Sequence, residues 1–197
     1  MSQYFEENKE LIDNKKIITI NFKDKYYKLY TNNGVFSKDK LDYGTKLLLE
    51  NITENDLTGN ILDLGCGYGI IGIILATTYP NSLVDMCDIT DRAISLSKEN
   101  SRNLNLNNTN IFKSNIYENI NKKYNYIITN PPIRAGKEII RIFLFDAKEH
   151  LKNNGELWFV MRKDHGVKTM IKELEKVYDI EIKDKSKGFY IVICRIK

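Results

Sequence analysis

The chain has 197 residues, a length that suits one domain with a sizeable buried core. Its 42% apolar and 28% charged residues are typical of a folded globular protein and exclude an intrinsically disordered one. The net charge of +4 indicates a polyanionic partner only weakly, because many lysines stand near acidic residues.

The N-terminal part predicts a β-hairpin that precedes the main pattern of the chain. Apolar and polar residues alternate on both sides of Lys23-Asp24-Lys25, which is typical of two strands joined by a tight turn. The predicted elements here are a short helix over 2–12, strands over 16–22 and 26–30, a turn at 31–34 and a helix over 41–52.

From residue 60 onward the pattern alternates between strands and helices. Strands are predicted over 61–64, 83–87, 110–113, 126–129, 156–161, 178–182 and 190–196. Helices are predicted over 70–79, 91–105 and 138–151, and the last is closed by Asn153-Asn154-Gly155. A further helix is predicted after Asp164, which can cap it. The inward face of that helix is Val167, Met170, Ile171, Leu174 and Val177. This alternation predicts an α/β fold, in which helices cover both faces of a mostly parallel sheet and an antiparallel hairpin closes one edge.

No segment of the sequence predicts export, membrane insertion or metal binding. Residues 1–13 lack the apolar core of a signal peptide, and the longest apolar run, 70–76, is far too short to span a membrane. Cys66, Cys87 and Cys194 are isolated, without the paired spacing or Cys/His cluster of a metal site. We therefore expect three buried thiols in a cytoplasmic protein without a metal.

Residues 124–137, Tyr-Asn-Tyr-Ile-Ile-Thr-Asn-Pro-Pro-Ile-Arg-Ala-Gly-Lys, carry the main chemical signal. The strand over 126–129 must stop at Asn130, because Pro131 and Pro132 cannot donate to a ladder and each fixes its own φ. The loop therefore places an amide side chain at the carboxyl end of a strand, where ligands bind in open α/β sheets.

Such a loop can hold an amino group in a reactive orientation. The Asn130 side-chain oxygen and a neighbouring backbone carbonyl form two acceptors for the two hydrogens of an NH2 group. Fixing both N–H bonds aims the delocalised nitrogen lone pair at an electrophile and requires no strong base. An ordinary turn is the alternative, since Asn and Pro are common turn residues.

A second motif, Asp-Leu-Gly-Cys-Gly-Tyr-Gly at 63–69, stands where the first strand of the alternating pattern meets its helix. Its Gly-x-Gly-x-Gly spacing differs from the dinucleotide fingerprint, and the preceding Asp63 would repel a pyrophosphate but attract an ammonium group. Asp88 ends the next strand, at a position that suits ribose hydroxyls. The combination favours S-adenosylmethionine (SAM), a nucleoside with a cationic amino-acid tail and no phosphates.

Together the two motifs resemble the class I SAM-dependent methyltransferases that modify exocyclic amino groups. The motifs that narrow the likeness to the small-subunit rRNA guanine-N2 methyltransferases (RsmC-like), and in particular to their single-domain branch, are Gly34-Val35-Phe36-Ser37, Asp42-Tyr43-Gly44-Thr45, and residues 114–119, 130–137 and 185–190. This resemblance implies a Rossmann-like sheet of seven strands in one domain over 1–197. Residues 1–45 would form the hairpin and a cofactor lid, and 46–197 the SAM-binding catalytic core.

The resemblance also implies the roles of individual residues. Asn130, Pro131 and Pro132 would form the catalytic loop, and Ile133, Arg134 and Lys137 would contact the substrate. The implied SAM-binding residues are Phe36, Asp42, Thr45, Asp63, Gly65, Cys66, Gly67, Gly69, Asp88, Ile89, Asn115, Ile116 and Asn130. Within that set Asp63 and the glycines would line the methionine part, Asp88 the ribose and Asn115 the adenine, while Phe36, Asp42 and Thr45 would close over the cofactor.

This chain departs from the family pattern at two positions. The family commonly has Asp where Asn115 stands, and an amide oxygen can still accept a bond from the adenine amino group. Many amino-methyltransferases place an aromatic residue where Ile133 stands, so Phe36 or the Arg134 guanidinium becomes the candidate for stacking on the base.

Basic residues are expected on the same rim as the catalytic loop, where they can contact RNA phosphates. They are Arg134, Lys137, Arg162 and Lys163, with Lys38 and Lys40 nearby, and a solvated surface is the alternative. His150 and His165 have no partner suggested by spacing and are not expected to be catalytic. The predicted function is methylation of a guanine N2 in rRNA or the small ribosomal subunit. Its rivals are methylation of protein glutamine or DNA adenine, and a SAM-binding ribosome-assembly factor without turnover.

Overall fold

The computed structural model describes residues 13–197, so the helix predicted over 2–12 lies outside the described residues. A two-stranded hairpin precedes a seven-stranded sheet. The strands are β1 (Lys16–Phe22), β2 (Lys25–Thr31), β3 (Asn60–Leu64), β4 (Leu83–Asp88), β5 (Thr109–Lys113), β6 (Tyr124–Thr129), β7 (Leu151–Arg162), β8 (Tyr178–Ser186) and β9 (Phe189–Ile196). The helices are α1 (Tyr43–Ile52), α2 (Ile70–Thr78), α3 (Asp91–Asn103), α4 (Lys137–Phe145), α5 (Ala147–His150) and α6 (Val167–Leu174).

The sheet has the strand order β5-β4-β3-β6-β7-β9-β8. Strands β3 to β7 pair in parallel, whereas β9 runs antiparallel between β7 and β8. The predicted Rossmann-like sheet with its C-terminal hairpin at one edge is therefore confirmed. The chain moves outward from β3 to β5 and returns beside β3 as β6, so the carboxyl ends of β3 and β6 border the crevice where such sheets bind ligands.

Helices cover both faces of the sheet, as the alternating pattern predicted. One core layer contains apolar residues of α1, α2 and α3 together with the buried side of the N-terminal hairpin, including Ile18, Phe22 and Leu29. The other layer contains the buried faces of α4, α5 and α6. Strand β7 serves both layers because successive side chains point to opposite faces: Trp158 lies in the first and Phe159 in the second. The N-terminal hairpin therefore packs in the same core layer as α1.

The helix predicted over 138–151 and its closing Asn-Asn-Gly turn are wrong in extent. Helix α4 ends at Phe145, and after the short α5 the chain enters β7 at Leu151. Leu151 is fully buried and pairs with Tyr124, ahead of a register irregularity in the β6–β7 pair. A Cβ at Gly155 would lie 2.8 Å from the Tyr124 carbonyl oxygen, so this glycine permits close strand approach instead of ending a helix.

The helix cap predicted at Asp164 is also wrong. Residues Lys163–His165 form a single 3-10 turn, and the Asp164 carboxylate pairs with Arg162 at 3.0 Å. Gly166, with φ of 83°, precedes α6 and supplies the left-handed conformation there. The predicted inward face of this helix is confirmed for the four residues within it, which are Val167, Met170, Ile171 and Leu174.

Candidate active site

The glycine motif forms the turn between β3 and α2. Gly65, Gly67 and Gly69 have φ values of 75°, 56° and 91°, a backbone region that side chains with a Cβ rarely adopt. The Cys87 carbonyl at the end of β4 accepts hydrogen bonds from the backbone N–H groups of Gly65 and Cys66, both at 2.9 Å. The turn is therefore anchored to the neighbouring strand by its own backbone.

Asp88 connects this turn to the loop after β4. Its Oδ2 accepts from the Gly67 N–H at 3.0 Å, and its Oδ1 accepts from the Thr90 N–H and hydroxyl at 3.0 and 3.1 Å. The side chain is largely buried but borders the crevice. A carboxylate held by three donors on the protein side presents its remaining lone pairs in a fixed direction.

Asp63 lies beneath the turn and not in the wall of the crevice. Its Oδ2 accepts from the Gly72 N–H at 2.8 Å, while its Oδ1 is buried and has no hydrogen-bond partner. Burial raises the pKa of the Asp63 carboxyl to about 7; the Gly72 N–H bond opposes that rise and the nearby Asp88 carboxylate adds to it. A buried carboxylate with one unpartnered oxygen favours a cation on the other side of the turn.

The crevice is a cavity of about 810 Å³ between the carboxyl edge of the sheet and the segment before α1. Its volume lies within the usual range for small-molecule sites, about 300–1,000 Å³. The site residues predicted from sequence that line it are Phe36, Asp42, Thr45, Gly65, Cys66, Gly67, Asp88, Asn130, Pro131, Pro132, Ile133 and Arg134. Predicted residues from Phe36 to Arg134 are thus brought to one site.

A second, narrow pocket opens beside the first and shares Gly65 and Asp88 with it. Three of the five remaining predicted cofactor residues line it, namely Ile89, Asn115 and Ile116. The Asn115 amide donates to the Glu118 carboxylate at 2.7 Å, which leaves its oxygen as the acceptor. Ile116 has φ of 51°, a strained conformation for a β-branched residue of the kind found at ligand sites.

Asn130 follows β6 and lies at the cavity wall. Its Nδ2 donates to the Thr45 hydroxyl oxygen at 2.9 Å and approaches the Asp42 carboxylate at 3.4 Å. Pro131 and Pro132 then lead into the single 3-10 turn Ile133–Ala135. The structure therefore joins the catalytic loop predicted from sequence to the start of α1, a contact that no local pattern indicated.

Three predicted site residues line neither pocket. Asp63 and Gly69 lie within the turn region, where the Gly69 N–H donates to the Cys66 carbonyl at 2.9 Å. Lys137 starts α4 and pairs with Glu173 at 3.3 Å. Of the predicted basic rim, only Arg134 and Arg162 line the cavity.

Sequence reasoning missed part of the cavity wall. Phe189, at the start of β9, lines the cavity, and the Arg162 guanidinium lies over its ring at 5.2 Å. His165 also borders the cavity, whereas His150 is stacked on Tyr117 elsewhere. The sequence signal for Phe189 is the Lys-Gly-Phe-Tyr run at 187–190, which belongs to the motifs that carry the family resemblance.

The three cysteines are buried and free, as predicted. Burial raises the pKa of the Cys66 thiol well above its usual value, with the Asp63 and Asp88 carboxylates adding to the effect. Cys66 therefore remains a neutral thiol at the cavity and is not a nucleophile.

Comparison with known proteins decides the family. Residues 26–193 match the family model described as the methyltransferase small domain. The chain belongs to that methyltransferase family. It is 36% identical over 192 residues to an uncharacterised Bacillus subtilis protein, YbxB, with 96% of each chain covered. It is 31% identical to the Psychromonas ingrahamii ribosomal RNA small subunit methyltransferase C, covering 83% of this chain and 47% of that one.

Solved structures show the same fold. The Thermus thermophilus 16S rRNA N2 methyltransferase RsmC, solved with AdoMet and guanosine, superposes with a TM-score of 0.83 at 20% identity, over 93% of this chain and 51% of that one. A ribosomal protein L11 methylase from Lactobacillus delbrueckii superposes with a TM-score of 0.68 at 19% identity, covering 83% and 89%. The chain thus spans about half the length of its RsmC relatives.

SAM is the cofactor of this methyltransferase, and the donor set fits it. The glycine turn lets a ligand approach the backbone, the charge of the buried Asp63 carboxylate behind that turn suits a cation, and Asp88 suits paired hydroxyls. Between residues 13 and 197 no cluster of His, Cys, Asp and Glu has the arrangement of a metal site. In that same range no helix has the length and apolar character needed to cross a membrane.

Proposed function

We propose that this methyltransferase modifies the exocyclic N2 amino group of a guanine in ribosomal RNA, and specifically in the RNA of the small subunit. The observation that carries the proposal is the position of Asn130, which lies at the carboxyl end of β6 in the same cavity as Gly65, Gly67 and Asp88. The likeness to RsmC proteins, which are named as rRNA methyltransferases, supports the choice of RNA.

The proposed reaction needs a held amino group and no base. SAM supplies a methyl group activated by its sulfonium. The Asn130 side-chain oxygen and the Pro131 carbonyl accept the two amino hydrogens and direct the nitrogen lone pair toward that methyl. The new N–C bond forms as the C–S bond breaks, its electron pair stays on sulfur, and the extra proton leaves to solvent.

Charge and shape at the cavity mouth support an RNA substrate. Arg134 and Arg162 line the mouth and are exposed, so they can contact phosphates. Phe36 also lines it and exposes 65% of its surface, which makes it the candidate for stacking on the flipped base in place of Ile133. The base must leave any duplex to reach Asn130.

One labelling experiment tests the substrate class. The protein is incubated with methyl-tritiated SAM and, separately, with rRNA lacking modification, small ribosomal subunits, DNA and release factors. We expect label in the RNA or subunit pool, and nuclease digestion should return it as N2-methylguanosine. Label in protein or DNA would replace the proposal with one of the rival substrates, and no label in any pool would favour a binding factor without turnover.

Asn130→Ala tests the role of the amide. Removal of one aimed dipole should lower turnover by ~10²-fold or more while SAM affinity is largely kept. Asn125→Ala is a matched control, because Asn125 lies on the same strand and its side chain bonds the backbone of Asn60 on the far side from the cavity. Unchanged turnover of the Asn130 variant would remove the amide from the mechanism.

A further inference from the structure

The N-terminal cap of α1 holds the amide group of Asn130. The Asn130 Nδ2 lies 2.9 Å from Thr45 Oγ1 and 3.4 Å from Asp42 Oδ2. These residues are 85 and 88 positions away in sequence, and Thr45 is 4% exposed. The Asn130 NH2 group therefore has two acceptors on the protein side, both at the start of α1.

The direction of these hydrogen bonds is fixed by Asp42. Its Oδ2 accepts from the Thr45 N–H at 3.0 Å, which is the helix cap, and from the Thr45 hydroxyl at 3.4 Å. A carboxylate has acceptors only, so the hydroxyl hydrogen of Thr45 is directed to it. The Thr45 oxygen is then left to accept from Asn130.

This one-way chain decides how the Asn130 carboxamide faces. The carboxamide group is planar, and its oxygen and nitrogen lie on opposite sides of the Cβ–Cγ bond axis, so a fixed NH2 group also fixes the oxygen. A flipped amide would place its oxygen against the Asp42 carboxylate and forfeit the bond to Thr45. The side of Asn130 that is open to the cavity can consequently offer only an acceptor.

We propose that Asp42 and Thr45 are positioning residues that hold the Asn130 amide with its oxygen facing the cavity. The site is then selective for substrates that present an NH2 group to that oxygen. This inference rests on the proposed function of Asn130 and assigns to the two residues a role other than the lid over SAM that the family resemblance implies. The helix cap that starts α1 is then also the support of the catalytic amide.

The test is a double-mutant cycle with Thr45→Val, which keeps the shape of the side chain and removes its oxygen. For Thr45→Val we expect kcat for methylation of the RNA substrate to fall by about tenfold, while the SAM dissociation constant changes less than about twofold. Thr45→Ser should restore most of kcat, since it restores the acceptor. In the Asn130→Ala background, Thr45→Val should cause no further loss.

Thr53→Val is the matched control on the same helix. The Thr53 hydroxyl bonds the Leu49 carbonyl at 2.6 Å at the other end of α1 and has no contact with the site. We expect its kcat to equal that of the wild type, because it removes a helix-end hydroxyl without touching Asn130. Equal losses in Thr45→Val and Thr53→Val would assign the Thr45 effect to helix stability and overturn the inference.

Two further outcomes would also overturn it. A loss from Thr45→Val that adds fully to that of Asn130→Ala, or a loss seen only in SAM affinity, would return Thr45 to the cofactor lid. A readout independent of turnover is the NMR signal of the Asn130 side-chain NH2 group, whose hydrogens should exchange slowly in the wild type and rapidly in Thr45→Val. Slow exchange in both proteins would contradict the lock even if no substrate pool became labelled.

Discussion

The two walls of the cavity are built from different kinds of interaction. The sheet wall consists of a backbone-anchored glycine turn and buried carboxylates, with the Cys87 carbonyl and Asp88 as anchor points. The opposite wall, residues 34–42, is attached through long side chains. Lys16 pairs with Asp39, and the Arg92 guanidinium donates at 2.8 Å to the carbonyl of Asn33, the residue just before this wall.

This difference indicates where changes in sequence should matter most. Bonds within the sheet wall are buried, so their loss leaves unpaired groups or strained backbone, which is expensive. The Lys16–Asp39 ion pair to the 34–42 wall is exposed to solvent, where ion pairs contribute little, whereas the bonds of Asp42 to Thr45 and Asn130 are partly buried. We expect SAM affinity to depend strongly on the sheet wall and weakly on the attachment of the 34–42 wall.

The largest effect is expected from Asp63→Asn, which removes the buried charge behind the glycine turn. SAM affinity near neutral pH should fall by at least about tenfold, because a nearby charge acts strongly in a buried setting. In the wild type the affinity should rise as pH increases through about 7, where the Asp63 carboxyl ionises, and the variant should lose that dependence. Calorimetric titrations across this range check both, and equal affinities would contradict the assignment.

Asp63→Asn also tests how the stability of the folded protein changes with pH. The pKa of the folded-state carboxyl is raised above its unfolded value of 3.8 to about 7. The folded protein therefore binds this proton more tightly, and its stability falls as pH rises from the lower value to the higher. Without SAM and at a pH above about 7, Asp63→Asn should melt at a higher temperature than the wild type. At a pH below the unfolded-state pKa of 3.8, the difference in melting temperature should be smaller.

A smaller effect is expected from Gly69→Ala, which changes the backbone of the sheet wall. The new Cβ would be held at φ of 91° and would lie 3.0 Å from the Ser97 hydroxyl oxygen. Strain and crowding together should lower the free energy of unfolding by ~1–3 kcal/mol, measured by urea denaturation.

Gly188→Ala is the matched control for that change. Gly188 has φ of 81° in the turn before β9, but a Cβ there has no atom within 4 Å. It should therefore show only the strain, about 1–2 kcal/mol. If both variants lose the same stability, contact with Ser97 contributes nothing.

The smallest effect is expected from Lys16→Met, which removes the ion pair between the hairpin and the 34–42 wall. The side chains of Lys16 and Asp39 are 39% and 64% exposed, so solvent screens their attraction. SAM affinity should change by less than about threefold. Lys46→Met, which removes the exposed pair with Glu50 on α1, is the control. A tenfold loss specific to Lys16→Met would show that this wall controls cofactor binding.

The sequence alone determined the parts of this protein that depend on local chemistry. Alternating strands and helices predicted the sheet, glycines at 65, 67 and 69 predicted the turn, and Asn130 before two prolines predicted an amide at a strand end. In each case the residue type restricts its own backbone or that of its neighbours, so no distant contact was needed. The predicted boundary at Leu151 was wrong because pairing with Tyr124 overrides local preference, and the predicted cap at Asp164 was wrong because α6 begins only after Gly166, whose left-handed backbone follows the short turn that contains Asp164.

Only the tertiary structure decided which side chains meet. The contact of Thr45 with Asn130 joins residues 85 positions apart, and Phe189 reaches the cavity from the last strand. Asp63 was placed behind the turn and not within the cavity. These placements follow from the order of strands in the sheet and from the packing of α1 on the face formed by β7, β9 and β8. Both are set by the summed burial of the core and not by any single residue pattern.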